Sequence, residues 1–196
     1  MRLHARDMRR LRRVPRFHAA LVLVEAGFRL AELRLSARNE RGSTAPRAAG
    51  SRYPLMVATH TALFVAPLVE VVLARRRPGR AASVWAGLLA AATGLRWWAI
   101  GSLGRSWNVR AAVPEDLQPV TRGPYRFVRH PNYLAVILEF LALPMAGGAW
   151  ISAAALSAVH AAVLADRIRE EERLLDRVPA YRQALRGRAR FIPGIF

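Results

Sequence analysis

Residues 134–165 read LAVILEFLALPMAGGAWISAAALSAVHAAVLA, and within this run only Glu139 and His160 are ionisable. A helix that crosses a bilayer needs about 20 apolar residues, so this run is too long for a single span. Pro144 and Gly147-Gly148 break helices, and they predict a tight hairpin of two short helices. The stretch therefore predicts an integral membrane protein.

Two other apolar stretches, residues 54–74 and 81–100, also approach the length of a membrane span. The first contains Pro67, which predicts a kink, and the second is predicted to continue as a helix to Leu103. Residues 17–35 predict a first helix that is retained, because charged residues interrupt it and no small-residue cleavage site follows. The predicted fold class is an all-α, polytopic membrane helix bundle of about five transmembrane helices.

The longest connection between predicted spans is residues 104–132, which are polar, proline-bearing and rich in arginine. Function is expected in such a long connection. The last helix is expected to leave the membrane as a cytoplasmic extension, because a helical stripe continues from Leu164 to Val178 before Pro179. The predicted divisions are a basic N-terminal tail (1–16), N-terminal transmembrane helices (17–103) and a C-terminal part that holds the candidate site (104–196).

All 31 basic residues are arginine, and the formal net charge is +18. A basic surface attracts phosphate, but these arginines cluster beside apolar segments, as at residues 75–77, where anionic lipid headgroups would lie. Membrane lipids are therefore the predicted partners, and nucleic acid is not. The absence of cysteine excludes disulfides, thiol nucleophiles and zinc–thiolate sites.

The distribution of the arginines also predicts the orientation of the protein in the membrane. With residues 104–132 and the C-terminal tail in the cytoplasm, the uncharged turn at 145–150 lies outside, as the positive-inside rule expects. The same topology sends residues 75–80 outward, and also the N-terminus if the first helix spans, so the orientation of the N-terminus stays open. The all-arginine composition suggests a bacterial genome, which predicts a plasma-membrane protein whose site faces the cytoplasm.

Signatures of soluble enzymes are absent from the sequence: no G-x-G-x-x-G, G-x-S-x-G, H-E-x-x-H or P-loop occurs. The five histidines, at positions 4, 18, 60, 130 and 160, are never paired at helical spacing. A metal site would have to be assembled from separate segments, and none is predicted.

The segment GPYRFVRHPNY (123–133) runs directly into the first helix of the apolar hairpin. A structural interpretation makes Pro131 a first-turn proline and Arg129 and Tyr133 interfacial anchors. A functional interpretation uses the unsatisfied N–H groups and positive dipole end of the helix, flanked by His130 and Tyr133, to hold a polar cofactor. The segment taken alone leaves both interpretations open.

A second candidate lies after the hairpin, where Arg167 and Glu171 are four residues apart and share a helix face. A solvated, salt-bridged helix extension is the alternative interpretation. Glu139 and His160 are ionisable at predicted membrane depth, which makes each a functional hypothesis. Because their helices are short, either residue could instead reach an interface or a polar neighbour.

A series of motifs follows in order along the chain: VTRGPY (120–125), RHPNY (129–133), the helical hairpin, E-E-x-x-L (171–175), Tyr181 and RFIP (190–193). Together they resemble the isoprenylcysteine carboxyl methyltransferase family of membrane enzymes. The resemblance is strong over residues 100–196 and looser before them, where YPLM (53–56) and His60 look like a bacterial branch of the family. R-H-P-x-Y alone is shared with phospholipid methyltransferases and membrane sterol reductases, so the ordered set carries the resemblance.

The resemblance implies an S-adenosyl-L-methionine-dependent methyltransferase whose cofactor lies between the loop after the third helix and the last helix. It implies that Arg167 orients the substrate and serves catalysis, and that Arg190 is a further substrate contact. The cofactor contacts that it implies are Leu117, Gln118, Pro119, Val120, Tyr125, His130, Pro131, Asn132, Tyr133 and Glu171.

The sequence departs from the family pattern in three places. Pro119 replaces an aliphatic residue, the stretch between Leu175 and Tyr181 is shortened, and Ala184 replaces a second aromatic residue. The substrate end of the site is therefore expected to be shaped differently.

Methyl transfer from a sulfonium is an in-line displacement, so the protein has mainly to align an oxygen nucleophile and exclude water. A carboxylic acid is already ionised at neutral pH, whereas a phenol, with a pKa of about 10, needs a base. His130, Glu139 and Glu171 are the candidates. The expected acceptor is a lipophilic small molecule: a long-chain phenolic or pyrone polyketide, a fatty acid or a phospholipid headgroup, with protein prenylcysteine disfavoured in a bacterium.

Two alternatives remain open from the sequence. A nicotinamide-dependent membrane reductase of the sterol-reductase type could share the R-H-P-N-Y motif. A non-catalytic membrane protein could use its arginines to hold anionic lipid.

Overall fold

The computed structural model describes residues 16–41, 53–109, 118–185 and 187–194. Within these ranges the fold is all-α, as predicted, and the only β-type pairing is an isolated parallel bridge between Val128 and Ala189. Short 3-10 turns lie at Gly104–Ser106 and Gly123–Arg126. The α-helices of the described residues are α1 (Arg16–Glu40), α2 (Tyr53–Leu73), α3 (Ala82–Leu103), α4 (Pro131–Ala146), α5 (Trp150–Leu175) and α6 (Pro179–Leu185).

Two of the described helices, α2 and α5, are long and apolar enough to cross a membrane, and α4 is a shorter apolar helix. In α5 the apolar sequence ends at Ala165, and seven mostly charged residues, Asp166 to Glu172, follow before the helix ends. The polar C-terminal turns of α5 therefore extend past its apolar stretch. The five-span topology as a whole stays a prediction.

The helices pack around α4 and α5. α3 lies along α4, α4 pairs with α5, and α2 packs against α5, whereas α1 makes fewer contacts, with α2 and α4. Their shared core includes Leu63, Leu89, Val136, Phe140 and Leu143, all buried. Close packing of such side chains holds helices together even where the surroundings are as apolar as the core itself.

The predicted break in residues 134–165 is confirmed, since α4 ends at Ala146 and α5 begins at Trp150. Glycine is required in this turn: a Cβ at Gly147 would lie 2.6 Å from the His18 ring, and a Cβ at Gly148, which has φ +79°, would lie 2.7 Å from the Arg77 carbonyl oxygen. Pro144 itself lies inside α4 and does not end it.

The start of α5 is capped from another helix. The Glu70 carboxylate in α2 accepts hydrogen bonds from the backbone N–H groups of Ile151 (3.2 Å) and Ser152 (2.7 Å) and from the Ser152 hydroxyl (2.7 Å). A helix leaves its first N–H groups without internal partners. Glu70 satisfies two of them and fastens the hairpin to α2.

The first helix is longer than predicted, because α1 runs from Arg16 to Glu40 instead of ending near Leu35. Its last turn is held by polar contacts: Asn39 donates to the carbonyl oxygens of Gly104 (3.1 Å) and Trp107 (2.6 Å). The predicted loop at 36–52 therefore overlaps the helix, and the rest of that loop and the basic tail lie largely outside the described residues. With His18 against Gly147 and Asn39 near Gly104, α1 follows the bundle from the hairpin end to the opposite end.

The C-terminal extension also differs from its prediction. α5 ends at Leu175, four residues before Pro179, and Pro179 starts the short helix α6, which was not predicted. Proline suits the first turn of a helix because no partner exists there for the N–H that it lacks.

Candidate active site

A cavity of about 500 Å³ lies at the end of the bundle opposite the hairpin. Its walls come from α1 to α6 and from the connecting segments 106–109 and 118–120. Pockets for drug-sized ligands have volumes of about 300–1,000 Å³, so this cavity is large enough for a small cofactor. The sequence prediction confined the site to residues 104–196, but the N-terminal helices supply part of the wall.

Most of the predicted site residues meet at this cavity. Of the others, Pro131 is buried as the first residue of α4, Leu117 lies outside the described residues, and Glu139 and Arg190 are held in the ion pairs described below. The predicted residues on the cavity wall are Gln118, Pro119, Val120, Tyr125, His130, Asn132, Tyr133, Arg167 and Glu171.

The turn before α4 is positioned by Gly123. This residue has φ +60°, and a Cβ on it would lie 2.0 Å from the Ser102 hydroxyl oxygen, so only glycine allows the turn to approach α3. The approach buries Tyr125, and burial followed by the charge of Glu171 raises the pKa of its hydroxyl. Tyr125 therefore stays protonated on the cavity wall and can donate a hydrogen bond to a ligand.

A hydrogen-bonded chain joins α4 to α5 on the cavity wall. Arg167 Nε donates to the Tyr133 hydroxyl (3.0 Å), and that hydroxyl donates to the Glu171 carboxylate. Arg167 Nη2 also donates to the Val109 carbonyl oxygen (2.6 Å). The predicted face of Arg167 and Glu171 therefore points into the bundle and contacts the RHPNY segment, which contradicts the alternative of a purely solvated extension.

Asn132 presents a free acceptor beside this chain. Its Oδ1 atom is buried and has no hydrogen-bond partner among the described residues, while the residue lines the cavity. Buried polar atoms are nearly always hydrogen-bonded. The unsatisfied amide oxygen points to a ligand that carries a donor group.

The adjacent carboxylate, Glu172, has a different set of partners. It accepts from His130 Nε2 (3.1 Å) and from Arg190 Nη2 (2.7 Å), and it pairs with Arg129 Nη1 (3.2 Å). The hydrogen bond from His130 and the charges of the arginines lower the pKa of Glu172 to about 2. We call Arg129, His130, Glu172 and Arg190 the tail clamp.

Backbone contacts complete the tail clamp. The N–H of Arg129 donates to the Ala189 carbonyl (2.9 Å), and the N–H of His130 donates to the Arg190 carbonyl (2.9 Å). The RFIP tail is thereby fixed beside the start of α4. Arg190, a predicted substrate contact, is directed to Glu172 and is not part of the cavity wall.

A second group of charges lies deeper in the bundle, and we call Arg29, Glu32, Arg96 and Glu139 the inner cluster. Glu32 pairs with Arg29 (2.7 Å) and with Arg96 (2.8 Å to Nη2), and Glu139 pairs with Arg29 (2.8 Å). Glu32 and Glu139 are 2% and 3% exposed. Charges buried this deeply require partners, and α1, α3 and α4 supply them to one another.

The inner cluster corrects the prediction for Glu139. Glu139 was predicted to be catalytic, but its carboxylate is engaged by Arg29 and does not line the cavity, whereas Arg29, Glu32 and Arg96 do. Sequence reasoning missed these three residues. The available signal was the same one that selected Glu139, an ionisable side chain within an apolar helix.

Histidines also reach the cavity, since His60 from α2 and His160 from α5 line its inner part. His160 was flagged by its membrane depth, and His60 only by the looser resemblance. Within the described residues, no group of three or more His, Cys, Asp or Glu side chains is placed to hold a metal ion.

An all-α bundle with membrane-length helices, enclosing a mainly apolar cavity with a polar wall of a guanidinium, a carboxylate and hydrogen-bond donors, is the arrangement expected of a helical membrane enzyme. Sequence comparison makes the class specific. Residues 85–177 match the Isoprenylcysteine carboxyl methyltransferase (ICMT) family. The uncharacterized protein YpbQ of Bacillus subtilis (strain 168) is 31% identical over 159 residues, which cover 80% of this chain and 93% of that protein.

The chain therefore belongs to the isoprenylcysteine carboxyl methyltransferase family, as its motifs predicted, and it is a membrane-bound methyltransferase. The match spans α3 to the end of α5, which contain the turn at Gly123, the RHPNY segment and the Arg167–Glu171 face. Methyltransferases of this family generally use S-adenosyl-L-methionine.

Proposed function

We propose that this protein transfers a methyl group from S-adenosyl-L-methionine to a carboxylate or phenolic oxygen of a lipophilic acceptor. The observation that carries the proposal is that one cavity joins a polar wall, built from α4 and α5, to an apolar opening between α1 and α2. A charged cofactor and a lipid-soluble acceptor need both environments.

The polar wall fits the cofactor. S-adenosyl-L-methionine has an ammonium group and ribose hydroxyls, which require acceptors, and a carboxylate, which requires donors. Glu171 and the unsatisfied Oδ1 of Asn132 are acceptors on the wall, and the Tyr125 hydroxyl and the positive dipole end of α4 suit the carboxylate. When bound, the cofactor supplies an electrophilic methyl carbon, whose bond to sulfur breaks as a bond to the acceptor oxygen forms.

The apolar opening fits an acceptor with a hydrocarbon tail. Leu30 and Leu33 of α1 and Val57 and Val65 of α2 line the cavity while 45–55% of their surface stays exposed. Exposed apolar side chains along membrane helices face lipid. An acceptor could therefore enter sideways from the bilayer and keep its tail in the opening.

Arg167 is suited to orient the reacting oxygen. The Tyr133 hydroxyl and the Val109 carbonyl fix its guanidinium on the cavity wall, where it would bind an anionic oxygen. A carboxylate acceptor needs no base, whereas the proton of a phenol would pass to Glu171 or His130, which both line the cavity. Glu139 is less suited because Arg29 already occupies its carboxylate.

The proposed location is a bacterial plasma membrane, with the cavity end of the bundle in the cytoplasm. Arginines of the described residues are more numerous at that end than at the hairpin end, which favours this orientation under the positive-inside rule. At the hairpin end they are Arg16, Arg75, Arg76, Arg77 and Arg80; at the cavity end they include Arg105, Arg122, Arg126, Arg129, Arg169, Arg173, Arg177, Arg182, Arg188 and Arg190.

The proposal is tested by incubating the detergent-purified protein with methyl-labelled cofactor and a lipid extract of the native host. We expect one labelled lipid, identified by mass spectrometry as a methyl ester or aryl ether. Arg167→Gln should lower its rate of formation by about a hundredfold, as expected for loss of a charge-stabilising donor. Arg169→Gln is the matched control, because Arg169 lies on the same helix but is exposed and pairs with Asp166.

A labelled lipid in the wild-type reaction with equal loss in both variants would contradict the role of Arg167. No labelled lipid at all would contradict methyl transfer to a lipid.

A further inference from the structure

The inner part of the cavity contains polar groups that the proposed methyl transfer does not use. His160 is 2% exposed and Arg96 is 6% exposed, and both line the cavity. Among the described residues, His160 Nε2 and Arg96 Nη1 are buried without a hydrogen-bond partner. Leaving such groups unsatisfied is costly, so these two atoms indicate a ligand.

The hydrogen bonds of His160 define which ring nitrogen is free to accept. The Thr59 hydroxyl donates its proton to the Met56 carbonyl (2.9 Å), so toward His160 Nδ1 (3.2 Å) its oxygen can only accept. The tautomer that keeps both hydrogen bonds has the hydrogen on His160 Nδ1, and in that neutral ring the lone pair lies at Nε2. The free nitrogen is an acceptor.

His60 is arranged in the same way. Its Nδ1 lies 2.9 Å from the Met56 carbonyl oxygen, which can only accept, so Nδ1 carries the hydrogen and Nε2 has the lone pair of the neutral ring. The two rings are fixed against each other and against Phe140. His160 stacks on Phe140 with centroids 3.8 Å apart, and His60 meets His160 edge-on at 4.9 Å.

The position of His160 along α5 separates this group from Arg167. Glu171, Arg167, Leu164 and His160 all line the cavity and form one stripe of the helix. His160 and Arg167 are seven residues apart, which is about 10 Å at about 1.5 Å per residue. The imidazoles therefore lie about two helical turns deeper than the guanidinium that would orient the reacting oxygen.

On the basis of the proposed function, we propose that His60, His160 and Arg96 form a second polar subsite, which binds a hydroxyl group of the acceptor other than the oxygen that is methylated. An imidazole lone pair accepts the hydroxyl hydrogen, and Arg96 Nη1 donates to the hydroxyl oxygen. The carboxylates of Glu32 and Glu139 offset the charges of Arg29 and Arg96, so the subsite suits a neutral hydroxyl better than an anion. The acceptor class is then a lipophilic compound with two oxygen functions.

Two probes that differ only by one hydroxyl group test the subsite: a meta-pentadecyl phenol and its counterpart with a second ring hydroxyl meta to the first. Equilibrium binding of each to the detergent-solubilised full chain is measured by quenching of tryptophan fluorescence. We expect the dihydroxy compound to bind at least about tenfold more tightly, because a site built for a hydroxyl discriminates against the analogue that lacks it.

The variants should change this preference selectively. His160→Phe keeps an aromatic ring against Phe140 but removes the acceptor nitrogen, so the binding ratio should fall to about one. Thr59→Val releases His160 Nδ1 and should lower the ratio in the same direction, which tests the subsite even if His160→Phe fails to fold. His18→Phe is the matched control, since His18 is a fully buried histidine at the hairpin end, away from the cavity, and should leave the ratio unchanged.

A wild-type ratio near one would overturn the subsite, as would a preference that survives both His160→Phe and Thr59→Val. Methylation of both probes is measured in parallel. A hydroxyl-dependent binding preference without cofactor-dependent methylation would sustain the subsite and count against the proposed reaction, so the two failures are distinguishable.

Discussion

Two charged groups of this protein, the inner cluster and the tail clamp, differ in three respects. These are the burial of their side chains, the separation of the paired residues along the chain, and whether sequence motifs identify the residues. The inner cluster joins α1, α3 and α4 through pairs 64 and 110 residues apart, with both carboxylates almost fully buried. The tail clamp joins residues 18 and 42 apart at the edge of the bundle, and its side chains are 3% to 32% exposed.

The charges of the two groups have different structural roles. In the inner cluster each group offsets the cost of burying the others, so removing one leaves an uncompensated charge in an apolar bundle. In the tail clamp the charges fasten a short C-terminal segment to the start of α4 and orient His130. We expect loss of the first to affect the whole fold and loss of the second to affect mainly the tail and the cofactor wall.

The largest effect is expected for Glu32→Leu. Glu32 accepts from both Arg29 and Arg96, so its removal should lower the free energy of unfolding by about 3 to 5 kcal/mol. The measurement is thermal unfolding in detergent. The double variant Glu32→Leu/Arg96→Leu should be less destabilised than the single one, because the unpaired charge is also removed. If the loss of stability in the double variant, relative to the wild type, equals the sum of the losses in Glu32→Leu and Arg96→Leu, the charges are not coupled.

A smaller and more local effect is expected for Glu172→Gln. The lost charge-assisted hydrogen bonds should weaken tail docking by about 1 to 3 kcal/mol, since bonds to charged groups contribute that much. Trypsin should then cleave after Arg188 and Arg190 faster than in the wild type, while global unfolding changes little. Glu170→Gln is the control on the same helix turn, and equal cleavage rates in the two variants would contradict the clamp.

The stability of the tail clamp should also depend on pH. The pKa of Glu172 is lowered to about 2 in the folded protein, whereas an unfolded glutamate has a pKa of about 4.3. A depressed folded pKa gives stabilisation that is present above the unfolded value and is lost as the pH falls toward the folded value. The difference in tail cleavage between wild type and Glu172→Gln, measured with an acid-active protease, should therefore be constant from pH 7 to 5 and shrink from about pH 4 downward. A difference that stays constant down to about pH 2 would contradict this assignment.

The smallest effect is expected for Tyr133→Phe, which removes one hydroxyl between Arg167 and Glu171 and leaves both charges in place. Loss of a hydrogen bond of this kind should weaken cofactor binding by about three- to tenfold. The measurement is titration calorimetry with S-adenosyl-L-methionine. An unchanged affinity would show that the hydroxyl does not organise the cofactor wall.

The residues of the tail clamp and of the cofactor wall lie in short sequence motifs. The RHPNY, E-E-x-x-L and RFIP motifs are contiguous, so the residues of the tail clamp and of the cofactor wall could be selected before their contacts were known. The different roles of these residues could not be predicted, because Glu171 and Glu172 are adjacent in sequence but contact different partners around the helix.

The helices were predictable where apolar length and glycine decide, as at the hairpin turn before Trp150. The end of α1 could not be predicted, because it depends on the tertiary hydrogen bonds of Asn39. The start of α6 could not be predicted either, because Pro179 was expected to end the preceding helix and instead begins a short new one. The inner cluster was also not predictable as a unit. Nothing local in the sequence connects Glu32 to Arg96 or Glu139 to Arg29.

The central claim is that the wall formed by α4 and α5 binds S-adenosyl-L-methionine, and titration calorimetry of the purified protein tests it most directly. We expect saturable binding of this cofactor and none of NADPH, with Glu171→Gln weakening the affinity at least about tenfold, as for loss of hydrogen bonds to a charged acceptor. Glu170→Gln, which alters the neighbouring carboxylate outside the cavity wall, should leave the affinity unchanged. Binding of NADPH in place of S-adenosyl-L-methionine, or equal affinities in the two variants, would contradict the claim.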